Sequence, residues 1–100
     1  MIDRIFMQIA QERVRQNLKW GEQNHANGTG SHTDQILASQ KKAACDRAAD
    51  LEALTWLHIL DEEVAEVFAE ADPQKLRAEL VQVAAVCVQW IECLDRKAGK

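Results

Sequence analysis

The sequence predicts an all-α protein, a four-helix bundle whose helices pair antiparallel and assemble as a homo-oligomer. Three observations carry that prediction. Apolar residues recur at three- and four-residue steps, and strand-like alternation is absent. The chain has a single proline, Pro73, placed directly after Asp72, where it restarts a helix rather than breaking one. Hydrophobic residues make up 47% of only 100 residues, more than one small domain readily encloses.

Each element follows in order. The first helix is expected from Asp3, as its cap, to Leu18, with Ile5, Phe6 and Ile9 as a short apolar face. Gly21 to Asp34 holds three of the four glycines with asparagine, serine and threonine, and reads as the one long loop. A second, alanine-rich helix is expected over Asp34 to about Asp50, carrying Lys41, Lys42 and Arg47. Thr55 is placed to cap a third helix, whose apolar positions are Leu57, Leu60, Val64, Val67, Phe68 and Ala71. Asp72-Pro73 opens a fourth helix running to about Lys97. Its seam is Leu76, Leu80, Val83, Cys87, Trp90 and Leu94, and Val81, Ala84, Val88 and Ile91 widen the apolar arc. So broad an apolar arc belongs in a nearly enclosed helix, hence the expected homodimer or homotetramer. The whole is expected to form one domain, 1–100.

Composition narrows the partners. A net charge of −4 argues against nucleic acid, whose phosphates need basic patches. The longest uninterrupted apolar run, Val83 to Val88, is far too short for a bilayer, so no membrane partner is expected. Cys45, Cys87 and Cys93 are odd in number and form no CxxC, which fits reduced thiols in the cytoplasm. The N-terminus has no signal-peptide hydrophobic stretch.

The chemistry concentrates in one segment. Asp61 to Asp72 contains six acids and no base. Glu62/Glu66 and Glu66/Glu70 are like-charge pairs, each costing roughly 0.2–0.5 kcal/mol in an isolated helix. A bound cation offsets that cost. Glu63 and Glu66 share a stripe beside the apolar seam, and Glu79 and Gln82 share one on the next helix. Facing pairs of this kind can converge on one hard cation with oxygen ligands.

Glu63-x-x-Glu66, twelve intervening residues and Glu79-x-x-Gln82 resemble the ExxE…ExxD signature of the MazG-like, all-α NTP pyrophosphatase superfamily. The resemblance covers most of Thr55 to Arg96, and Lys19-Trp20-Gly21 is similar to small members of the group. It departs from the pattern at Gln82, which stands where the motif has aspartate and adds no charge. The resemblance implies a four-helix, MazG-like bundle acting as a Mg²⁺-dependent nucleoside triphosphate pyrophosphohydrolase, releasing a monophosphate and pyrophosphate. Glu63, Glu66, Glu79 and Gln82 would hold the metal, and Glu63, Glu66 and Glu62 would carry catalysis. Beside this, Trp20 is placed to stack on a nucleobase, Gln23 to read its polar edge and Lys41 to meet phosphate. The alternatives are a non-catalytic nucleotide or metal binder on the same fold, suggested by Gln82, and a helical interaction protein, suggested by the broad apolar fourth helix.

Overall fold

A computed structural model describes residues 1–99, and among these the chain is all-helical. The helices are α1 (Ile2–Trp20), α2 (His32–Asp50), α3 (Trp56–Ala69) and α4 (Pro73–Lys97). No described helix is long and apolar enough to cross a membrane. All three cysteines are free thiols.

The helix ends show how local chemistry sets the elements. α1 begins one residue earlier than expected: Met1 is its cap residue, without a side-chain bond, and Asp3 lies inside the first turn. There its carboxylate favours the N-terminal end of the helix dipole. α1 also runs two residues past Leu18 and stops at Gly21, whose φ of 67° is left-handed and whose N–H donates to the Asn17 carbonyl at 2.8 Å. α2 starts at His32, two residues before the expected Asp34, because Ser31 is its cap. The Ser31 hydroxyl accepts from the Asp34 N–H at 3.0 Å and donates to the Asp34 carboxylate at 2.8 Å. Thr55 caps α3 as expected, and the sequence hid its partner. His58 Nδ1 accepts the Thr55 N–H at 3.2 Å, filling the place that Glu or Gln usually takes in a capping box. Asp72 caps α4, its carboxylate accepting from the Lys75 N–H at 3.1 Å.

The chain divides into two compact units. The first comprises Met1–Asn27 and the C-terminal part of α4 from Val88. Its buried residues are Ile5 and Val88, whereas Phe6 and Ile9, expected beside Ile5, are exposed. The second unit, Gly28–Cys87, holds α2, α3 and the first part of α4. Here α2 lies against α3, and Cys45, Ala48, Ala65, Val67 and Leu76 are buried. Of the apolar positions expected along α3 and α4, Leu57, Phe68, Leu80, Val81 and Leu94 stay at least half exposed.

Within the second unit, the C-terminal half of the expected loop is tied down. The Gly30 N–H donates to the Phe68 carbonyl at 2.8 Å, and the Thr29 hydroxyl donates to the Glu70 carbonyl at 2.5 Å. Gly30 has φ of 92°, and a Cβ on it would lie 2.6 Å from Ala71 Cβ. Only glycine supplies both that conformation and that clearance.

Candidate metal centre

Three carboxylates converge in the second unit. One oxygen from each of Glu63, Glu66 and Glu79 lies within 4.8 Å of the others. Glu79 of α4 thus meets both Glu63 and Glu66 of α3. Capping at Thr55 and Asp72 fixes where α3 and α4 begin, and so where these three side chains stand along each helix. Glu63 and Glu66 are three residues apart and share one face of α3. All three residues are only partly exposed.

Assembling acids in this way is unfavourable, and their protonation records it. Burial, then the negative charges of Glu79 and Glu62, raises Glu63 above its ordinary carboxylate value. Glu66 is pushed up from 4.5 to about 7, first by burial, then by the charges of Glu63 and Glu79, by a hydrogen bond with Glu79 and by Glu62. A hydrogen bond between two carboxyl groups requires a proton on one of them. Near neutral pH the metal-free cluster therefore holds a proton where a bare trio of carboxylates would repel.

Two further atoms stay unsatisfied. Glu63 Oε2 and Glu79 Oε2 are buried and have no hydrogen-bond partner. Buried oxygens of this kind are costly unless something donates to them or binds them. Partly exposed acids ordinarily turn to water; these turn toward one another. No Lys or Arg occurs between Asp61 and Asp72 to neutralise them. The donor set, three carboxylates and no sulfur or imidazole, fits a hard divalent cation such as Mg²⁺.

The remaining candidates fall elsewhere. Glu62 lies outside the trio, and its carboxylate bears on the buried Cys45 thiol of α2. Glu62 as acceptor, then burial and nearby carboxylates, push that thiol up to about 11. Gln82 is exposed. Lys41 pairs with Asp61 at 2.9 Å and lines a small, largely apolar recess with Leu37, Val64, Ala65 and Phe68. Trp20 and Gln23 belong to the first unit. Trp20 is 62% exposed, with the Lys19 ammonium 4.9 Å from its ring centre. Gln23 Oε1 is 2.9 Å from His25 Nε2, and Gln23 borders a polar recess with Arg13, Asn17 and Glu22. The sequence reading did not connect Cys45 with Glu62, because residue order does not say which face of α2 lies against α3. Compared with models of known protein families, with curated proteins and with solved structures, the chain matches none.

Proposed function

We propose that the chain is a Mg²⁺-dependent nucleoside triphosphate pyrophosphohydrolase of the MazG-like, all-α type, with helices paired antiparallel, working in the cytoplasm as a homodimer or homotetramer. The observation that carries this reading is the convergence of Glu63, Glu66 and Glu79 with two buried, unpartnered oxygens. The half-exposed Leu57, Leu80, Val81 and Leu94 support self-association, since subunit contact removes such surface from water.

Glu63, Glu66 and Glu79 would hold the cation, with Gln82 offering a neutral amide oxygen from the next turn of α4. Mg²⁺ bound there supplies a Lewis acid and clamp for a triphosphate. The chain's own part is to keep three carboxylates together, to release the proton of Glu66 when the site fills, and to exclude competing bases from the acidic run. Glu62 is not one of the three converging carboxylates, but its charge bears on Glu63 and Glu66, and it would be the carboxylate to take a proton from water as water attacks phosphorus. The P–O bond to the leaving pyrophosphate then breaks, and the nucleoside monophosphate remains. The proposal rests on the second unit; Trp20 and Gln23 lie in the first.

The test is incubation with a panel of nucleoside triphosphates and Mg²⁺, reading pyrophosphate release. Release that vanishes in Glu63→Gln or Glu66→Gln supports the reading, and silence across the panel from folded protein refutes it. One observation favours a second reading, a binder without turnover: Gln82 adds no charge and is exposed. Tight nucleotide binding by calorimetry without hydrolysis, and turnover gained by Gln82→Asp, would support that reading.

A further inference from the structure

α3 ends without a left-handed cap. Its C-cap residue, Glu70, is extended at φ −90° and ψ 120°, and Glu70-Ala71-Asp72 includes no glycine. A left-handed cap would fold the chain back on the helix and pair its last carbonyls from within. Here two carbonyls of this end are paired from a distant segment. The Gly30 N–H donates to the Phe68 carbonyl at 2.8 Å. The Thr29 hydroxyl, 41 residues before Glu70, donates to the Glu70 carbonyl at 2.5 Å. Gly30 also abuts Ala71, where a Cβ on it would stand 2.6 Å from Ala71 Cβ and 3.0 Å from Ala71 Cα. Thr29 and Gly30 therefore grip the α3–α4 turn at Phe68, Glu70 and Ala71.

The grip has a firm backing. Ser31 follows Gly30 directly and caps α2, and α2 lies against α3. Thr29 and Gly30 are themselves only partly exposed. The turn they hold is where the angle between α3 and the first part of α4 is set. Glu79 lies about 9 Å along α4 from Pro73, at about 1.5 Å per residue, so opening the turn by about 20° would carry it about 3 Å from α3. That is most of the 4.8 Å within which the three carboxylate oxygens lie. Repulsion among the carboxylates favours such opening, and the grip on the turn opposes it.

We propose that Thr29 and Gly30 are positioning residues, which clasp the α3–α4 turn and so hold Glu79 opposite Glu63 and Glu66. They touch neither the cluster nor anything bound to it, and act through the angle between two helices. As a statement about structure this is independent of what the cluster binds; as a statement about function it rests on the metal reading above.

The test uses the full chain with Cys45→Ala, Cys87→Ala and Cys93→Ala, spin-labelled at Leu57→Cys on α3 and Ala85→Cys on α4, both exposed positions. Each label stands about 18 Å from the turn at about 1.5 Å per residue, so a change of about 20° moves one by about 6 Å. Labelled chain is diluted into unlabelled chain, so that double electron–electron resonance reads distances within one chain. Thr29→Val keeps the side-chain shape and removes the donor, and the distance distribution should shift or broaden by several ångströms. Thr29→Ser restores the donor and should restore the distribution. Gly30→Ala, which drives a methyl group into Ala71, should displace it further. An unchanged distribution in folded Thr29→Val, or a Thr29→Ser no closer to the unaltered chain than Thr29→Val, overturns the proposal. If Gly30→Ala does not fold, the Val and Ser pair still decides. With the native cysteines and no labels, the Kd for Mg²⁺ by calorimetry should rise several-fold in Thr29→Val and recover in Thr29→Ser. Equal Mg²⁺ affinity in the three folded proteins overturns the functional statement. If the unaltered chain binds no Mg²⁺, the metal reading fails while the distance comparison still decides the positioning.

Discussion

Raising the pH of the metal-free protein should destabilise it, and Mg²⁺ should remove the effect. Glu66 titrates at about 7 in the fold against an ordinary 4.5. A carboxyl whose value is raised by folding binds its proton more tightly in the folded state. Its stabilising contribution is therefore complete below about 4.5 and lost as the pH rises through about 7. At about 1.36 kcal/mol per pH unit the ceiling is about 3.4 kcal/mol. Glu66 is only partly buried, and solvent screening reduces this to roughly 1–2 kcal/mol. For a domain of this size, 1 kcal/mol moves Tm by roughly 4–8 °C, so a fall of roughly 4–16 °C is expected between about pH 4.5 and 8. Glu63 is raised for the same reasons and adds in the same direction. The assay is thermal unfolding by circular dichroism with chelator across that range, compared with Glu66→Gln, which cannot titrate and should flatten the profile. Free Mg²⁺ about 100-fold above its Kd should contribute about 2.7 kcal/mol and restore Tm at high pH. A flat profile for the unaltered chain, or an unchanged slope in Glu66→Gln, refutes the reasoning.

Other expectations follow from particular contacts. Gly30→Ala should destabilise by about 1–3 kcal/mol in a denaturant titration, since its Cβ meets Ala71 Cβ at 2.6 Å and φ is 92°. Thr55→Ala should cost about 1 kcal/mol by the same assay, through loss of the α3 cap. Glu63→Gln should leave the circular dichroism spectrum unchanged, abolish the Mg²⁺-induced rise in Tm and cut any pyrophosphate release by at least about 100-fold, or about 2.7 kcal/mol. Removing Mg²⁺ with chelator should stop turnover reversibly.

The four helices were legible because helix-forming sequence carries its own period and its own punctuation. Thr55 and Asp72-Pro73 marked two starts correctly, since a cap is a contact between residues three positions apart. The start of α2 was misplaced for a related reason. Ser31 precedes the apolar pattern, and its capping contact with the Asp34 N–H was not read from the sequence. The role of His58 as a capping partner was also local, but histidine is an unusual residue for it, so its type gave no signal.

The acidic pair was visible in the sequence as spacing: Glu63 with Glu66, and Glu79 beyond the turn. Spacing along one helix says which side chains share a face. It does not say how far that helix is rotated against its neighbour, because rotation costs the isolated helix nothing. Tertiary contact decided that Glu79 meets both Glu63 and Glu66, that two of their oxygens are buried without partners, and that Glu66 retains a proton near neutral pH. It also decided that Lys41 pairs with Asp61. The sequence alone determined which residues carry the charge, while only packing brought those charges within 4.8 Å of one another, where they repel unless neutralised.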